Sequence, residues 1–310
     1  MKQFFTLTVL TSTVASGIRL STPFLLASLG EAVGQRSGVL NLGVDGIMLL
    51  GAFGAYYTAL QTHDLWLAVL VGAGVGAVMG LVTAVVSVTL KAEQGISGIG
   101  VFLFGLGMSD LLFQKLVGTP VPVATLPTVK IPLLGSIPTV GKMFFHANLL
   151  VYLAFLLVPI MTFVLNRTTY GMKIKAVGEN PAAADSLGVR VARIRYSTVI
   201  LGCTLAGVAG AALALELGIF QQNLTQGQGF IAVALVYFGA WRPLGVMAGS
   251  LLYGMVAAIV LTWNTLGIIP QSASNLAAMA PAVITVIALV VVARRFRQPA
   301  ALAKPYERGG

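Results

Sequence analysis

Asn166–Arg195 reads NRTTYGMKIKAVGENPAAADSLGVRVARIR, the one long charged interval in an otherwise apolar chain. It carries Arg167, Lys173, Lys175, Arg190, Arg193 and Arg195 against only Glu179 and Asp185. Loops on the cytoplasmic side of a membrane collect Lys and Arg, so this segment sets the inner side. Its middle predicts a short helix. Asn180 is a good N-cap, Pro181 suits the first helical position, Ala182–Ala184 propagate, and Gly188 permits a left-handed stop. Such a helix is too short to fold alone and too polar to enter lipid, so it reads as a part shaped to fit a partner.

Composition agrees with a membrane setting. The chain has 310 residues, 57% hydrophobic and 9% charged, with a mean hydropathy of +0.92, whereas soluble domains carry about 25% charged residues. The expected fold is all-α: one polytopic transmembrane bundle over residues 1–310, of about 8 membrane helices by the ~20-residue rule. The net charge of +10 does not point to nucleic acid. The basic residues gather in the 166–195 loop and the 293–310 tail, where membrane lipid and the inside bias account for them. Cys203 lies alone in an apolar run and reads as a small buried hydrophobe. Met1–Leu10 resembles a leader peptide, but its apolar run continues and reads as a first span.

Spans are expected over Phe4–Leu29, Gly38–Leu60, Leu65–Leu90, Ile96–Leu116, Asn148–Leu165, Tyr196–Leu217, Gly245–Trp263 and Leu276–Val292, with Gly229–Ala240 as a shorter crossing. Gly30–Arg36 reads as a polar break and Val117–His146 as a Pro-rich loop outside the membrane. Gly72, Gly76 and Gly80 at four-residue spacing prepare a close helix contact. Thr22–Ala55 and Gln228–Val260 echo one another: an apolar helix, a turn with one Arg (Arg36, Arg242), then a Gly-rich helix. Paired interrupted helices in two halves point to a transport path.

Enzyme chemistry finds no foothold. The nearest approach to a phosphate loop, Gly135 to Lys142, has the wrong spacing, and His63 and His146 fall singly in loops. No motif asks for a metal or another cofactor. Glu31, Arg36, Asp45, Asp110, Glu216 and Arg242 lie near span ends, where they read either as functional charges or as structural pairs, Glu31 with Arg36 being one. Asn41 and Asp45 sit in the interruption Asn41-Leu-Gly-Val-Asp45-Gly46, where freed backbone groups need partners and could bond a polar solute. Gln221, Gln222, Asn223, Gln226 and Gln228 form an amide cluster that suits a neutral solute, a delivering protein or plain solvent.

Three stretches together resemble one family. Leu29-GEAVGQRSGVLNLGVDGIMLLGAF-Gly54 is similar to the GE…ERxGVxNLGxEGxMLxGA signature of inner-membrane permeases of bacterial ABC importers for nucleosides and simple sugars. Tyr170–Val189 resembles their cytoplasmic coupling loop, and Gly227-QGFIAVALVYFGAWRPLG-Gly245 their GxGFIAxAxxxFGxWxPxG stretch. The resemblance implies a permease subunit in a bacterial inner membrane, paired with a second related permease, cytosolic ATPase subunits and a solute-binding lipoprotein. It implies ATPase coupling through Gly178, Glu179, Asn180, Pro181, Ala184 and Asp185. It puts the substrate pathway along Asn41, Asp45, Gln228, Phe230 and Trp241. The family often has Glu at the position of Asp45, Arg at Gln228 and Asn at Glu93, and the last two departures loosen any fine assignment of substrate. The expected solute is a nucleoside of purine type. A pentose or other simple sugar is the alternative, and an ion-coupled carrier using Asp45, Asp110 or Glu216 is the reading from another class.

Overall fold

The computed structural model describes residues 6–130, 140–293 and 297–307. Phe4 and Phe5, where the first span was expected to begin, lie outside them, as does 131–139 of the Pro-rich loop. Helix α1, Leu7–Arg36, is 30 residues long, about 45 Å at 1.5 Å per residue. It runs straight through the expected break at Gly30–Arg36, and the chain turns instead at residues 37–43, where Gly38 takes φ +92°. The cause is local to Glu31. Its Oε1 accepts from Gln35 Nε2 one turn on and from the Asn41 N–H of the returning loop, at 3.0 Å each. A polar residue satisfied this way stays helical without water.

After the turn come α2 (Val44–Thr62) and α3 (Leu65–Ala84). Helix α3 is capped by Asp64 and prolonged by a π-helical turn over Val85–Thr89. Helix α4 (Gln94–Leu116) starts on the cap of Glu93. The expected outer loop contains a small antiparallel pair, β1 (Thr128–Lys130) with β2 (His146–Asn148), and the short α5 (Val140–Phe144). Helix α6 (Leu149–Arg167) leads into α7 (Thr169–Glu179) and α8 (Pro181–Ser186). Then follow α9 (Val191–Leu217), α10 (Gln228–Phe238), α11 (Pro243–Thr265), α12 (Ser274–Ala278) and α13 (Ala280–Ala293). Among the described residues, 7 helical segments are long and apolar enough to cross a membrane, and α10 is a shorter apolar helix. Helix α2 is largely enclosed by the others, so the chain is a polytopic helical bundle as expected.

The centre of the bundle is α1, α2, α3 and α9. In α1 every residue from Ser21 to Gln35 is buried. The Gly72-Gly76-Gly80 stripe of α3 meets α9 backbone to backbone: a Cβ on Gly207 would lie 2.3 Å from the Gly72 carbonyl oxygen, and one on Gly76 2.4 Å from that of Cys203. In lipid, where apolar surface alone does not hold helices together, such close packing is the main adhesive.

The tail corrects its expectation. Its described part, 297–307, is not held by lipid alone but folds back onto the protein. Ala301 N–H donates to Gly178 O (2.9 Å), Ala303 N–H to Gly38 O (3.2 Å), and Arg195 Nη1 to Lys304 O (3.0 Å). Ala301 and Leu302 are buried, and Lys91 pairs with Glu307 at 2.7 Å. Lys91 draws the Glu307 carboxyl below its ordinary range. Arg195 itself is buried, with Nε donating to Ser37 O, so it is a fastener between α9 and the turn rather than a free loop charge.

Candidate translocation site

The interruption after α1 is densely hydrogen-bonded. Leu40 N–H donates to Gln94 Oε1 (2.8 Å), and Gly43 N–H to Asn41 Oδ1 (2.8 Å). Asn41 Nδ2 reaches Cys203 Sγ (3.4 Å). Asp45, fully buried at the start of α2, accepts from Thr225 Oγ1 (2.9 Å) and from Gly229 N–H (2.7 Å). Its carboxylate therefore caps α10 from another helix, and anionic groups favour that end of a helix. A Cβ on Gly229 would lie 2.3 Å from Asp45 N, so only glycine lets the two helix starts touch. Freed backbone groups do need partners here, as expected, but the chain supplies them itself. Asn41 and Asp45 are both buried.

Trp241 is also internal. Its Nε1–H donates to Gln35 Oε1 (2.7 Å) and its carbonyl accepts from Arg36 Nε (2.7 Å). A relay thus runs Trp241–Gln35–Glu31–Asn41 from the α10–α11 turn to the α1–α2 turn. The expected Glu31–Arg36 ion pair is absent among the described residues, because each partner is committed elsewhere: Glu31 to amide donors, Arg36 to the Trp241 carbonyl. The two turns of the internal echo therefore lie against each other.

Two of the expected pathway residues face open space. Phe230 is partly exposed and meets Phe102 edge-on at 5.0 Å. Gln228 lines a cavity of about 60 Å³ together with Arg19, Thr22, Phe24, Asn148 and Glu216. Seventeen residues separate Arg19 from Arg36, which puts this cavity about 25 Å along α1 from the basic end. Glu216 accepts from Asn148 Nδ2 (2.8 Å) and lies 3.8 Å from Arg19 Nε. The Gln228 Oε1 is buried with no hydrogen-bond partner among the described residues. A pair of opposite charges and two amides put hydrogen-bond donors and acceptors on the wall of this cavity. Arg19, Asn148 and Glu216 were missed as a set, because they come from three distant segments.

At the basic end α7 and α8 form a bracket. Thr168 caps α7 through Gly171 N–H, and Asn180 caps α8 through Ala183 N–H (3.0 Å) with Pro181 at its first turn. Ile174 and Val177 pin α7 inward. Of the expected docking residues, Gly178 and Ala184 are also buried. A Cβ on Gly178 would stand 2.0 Å from Arg36 O, so the bracket bears directly on the α1–α2 turn. The outer surface includes Glu179, Asn180, Ala182, Ala183, Ser186 and Leu187, with Pro181 and Asp185 half-buried. Leu187 is 85% exposed, a large apolar side chain with no reason to face water on its own account.

A polytopic bundle with interrupted helices, a polar cavity near one face and a polar bracket at the other defines a membrane permease. The profile of the family described as "Branched-chain amino acid transport system / permease component" matches residues 13–295, and the chain belongs to that family. It is 39% identical over 256 residues to TsgC13 of Haloferax volcanii, provisionally named as a glucose ABC transporter permease protein (81% of this chain, 77% of that one). It is 35% identical over 288 residues to the nucleoside ABC transporter permease protein NupC of Lactococcus lactis (90% and 91%). It is 32% identical over 316 residues to the guanosine ABC transporter permease protein NupQ of Bacillus subtilis (97% and 98%). No solved structure matches it.

Proposed function

We propose that this chain is the permease subunit of an ABC importer for nucleosides of purine type, driven by separate ATPase subunits and supplied by a solute-binding lipoprotein. The likeness to NupQ along 97% of the chain carries the choice of solute. The chemistry of the Gln228 cavity is consistent with it, since ribose hydroxyls and a heterocycle need both donors and acceptors. The cavity is far below the ~300 Å³ of a small-molecule site, so the path is shut at this level and opens by moving α10 against α1. Gln228 and Phe230 stand on it. Asn41, Asp45 and Trp241 hold the hinge beside it.

Force enters through the α7–α8 bracket. Leu187 and Glu179 meet the ATPase, and Gly178 passes the displacement to Arg36 and the α1–α2 turn. A second, related permease completes the path. The broad exposed apolar faces of α3, α4 and α13 leave room for it and for lipid. Two-state switching of both permeases by the ATPases follows the usual logic of alternating access. A simple sugar is the second reading, favoured by the 39% identity to TsgC13. The test is uptake of labelled guanosine, ribose and glucose in cells lacking the native importer and given this chain with its neighbouring subunits. Guanosine uptake that unlabelled sugars fail to compete supports the nucleoside reading, whereas the reverse pattern replaces it.

A further inference from the structure

The basic end of the molecule holds a cleft of about 690 Å³ between α6, α7 and the α10–α11 turn. Arg36, Lys175 and Arg242 converge on it, joined by Thr162 and Asn166 from α6, and no carboxylate lines it. A smaller recess of about 210 Å³ adjoins it, where the tail contributes Arg297 and where Glu179 is the one acid. Two of these cations are held in place. Arg36 Nε is fixed by the Trp241 carbonyl, and Lys175 Nζ donates to Asn166 Oδ1 at 2.7 Å. Like charges gathered in a half-enclosed cleft repel one another, and the Lys175 amine is held below its ordinary value by partial burial and by Arg36. Glu179 offsets part of the charge on Arg36, and the net positive potential of a cleft lined by basic side chains still attracts an anion.

The surroundings specify the anion further. The cleft lies where α6 ends and α11 begins, at the edge of two spans. Its wall includes Leu244, which is 57% exposed, and the exposed Phe163 lies next to Thr162 on α6. Cations at the mouth with apolar helix faces below suit an amphiphile whose head is anionic. We propose that this cleft binds a phosphate group, that of an anionic phospholipid from the inner leaflet, on Arg36, Lys175 and Arg242. The inference goes beyond the transported solute and does not depend on it. The bound headgroup joins α1, α6, α7 and α11 beside the bracket, so it braces the face on which the ATPase acts.

The experiment uses the purified full chain, delipidated in a neutral detergent. Native mass spectrometry follows titration with phosphatidylglycerol and, separately, phosphatidylcholine. Thermal unfolding at constant ionic strength compares inorganic phosphate with chloride. Wild type is set beside K175Q/R242Q and beside K173Q/R193Q, which removes two exposed cations outside the cleft. Elution profile and circular dichroism establish that all three are folded. The expected result is preferential phosphatidylglycerol adducts, weakened about 30-fold in K175Q/R242Q, from roughly 5-fold per basic residue lost, and within about twofold of wild type in the control pair. Stabilisation by inorganic phosphate without lipid preference, lost in the same variant, keeps the phosphate site and names a soluble source. Equal weakening in both double variants, or no response to either ligand, overturns the proposal. So does loss of copurifying ATPase from K175Q/R242Q with lipid binding unchanged, which makes the cleft a protein contact.

Discussion

Replacing Asp45 by alanine separates a strut from a solute contact. The carboxylate accepts from Thr225 Oγ1 and from Gly229 N–H in a fully buried setting. Hydrogen bonds to a charged group contribute about 1.5–3 kcal/mol each, and a buried donor left without a partner carries its own desolvation cost. The two bonds share one carboxylate and do not add fully, so a loss of about 3–4 kcal/mol is expected. At roughly 2–4 °C per kcal/mol for chains of this order of size, the unfolding midpoint falls by about 6–16 °C. Asp45→Asn keeps an acceptor for Gly229 and lets Thr225 reverse its hydroxyl, so it loses roughly a third as much. The assay is thermal unfolding in detergent, read by the monodisperse fraction on size exclusion, with uptake measured in parallel. Uptake should fall in step with the folded fraction. If Asp45→Ala unfolds within about 1 °C of wild type yet transports nothing, the carboxylate serves the solute and the strut assignment is wrong.

Other perturbations test other links. Gly207→Ala puts a Cβ 2.3 Å from Gly72 O and should destabilise by about 1–3 kcal/mol through overpacking. Gly74→Ala, with nothing within 4 Å, should be neutral or slightly stabilising; equal effects in the two thermal scans would discredit the α3–α9 contact. Gln228→Leu removes a buried acceptor with no partner among the described residues, so the midpoint should hold or rise while uptake drops severalfold, and unchanged uptake would take Gln228 off the path. The Glu307 carboxyl is drawn down by Lys91; the stabilisation of the tail contact is therefore present above the ordinary carboxylate pKa and lost as pH falls through the lowered one. Protection at residues 301–303, taken as hydrogen exchange corrected for the intrinsic rate at each pH, should stay high at neutral pH and fall under acid or in Lys91→Gln, and identical protection in that variant would rule out the pairing.

Local signals were read correctly where local chemistry decides the structure. Asn180 and Pro181 specify the α8 start by capping geometry that needs no tertiary partner, and the Gly72-Gly76-Gly80 stripe announces a close contact without naming α9. The misreadings share one cause. Glu31 and Arg36 marked Gly30–Arg36 as a loop because their partners, Asn41 N–H and the Trp241 carbonyl, come from other segments. Charges in TYGMKIKAVGE hid α7, although Ile174 and Val177 already sat one turn apart on its buried face. Asn41 and Asp45 drew attention as polar groups in an apolar run, but polarity alone does not distinguish a group that bonds a solute from one that bonds the chain. The Arg19–Asn148–Glu216–Gln228 cavity could not be assembled from spacing, since its members lie on four separate helix ends and faces.

In the proposed assembly the α7–α8 bracket receives an ATPase subunit. The most direct test of that docking is affinity purification of the chain from native membranes in mild detergent, with Glu179→Arg and Leu187→Asp purified alongside. The prediction is that an ATPase copurifies with the wild-type chain and is lost from both variants, while both elute folded and retain the second permease. A wild-type chain that purifies folded and alone, or variants that keep the ATPase at wild-type yield, would contradict it.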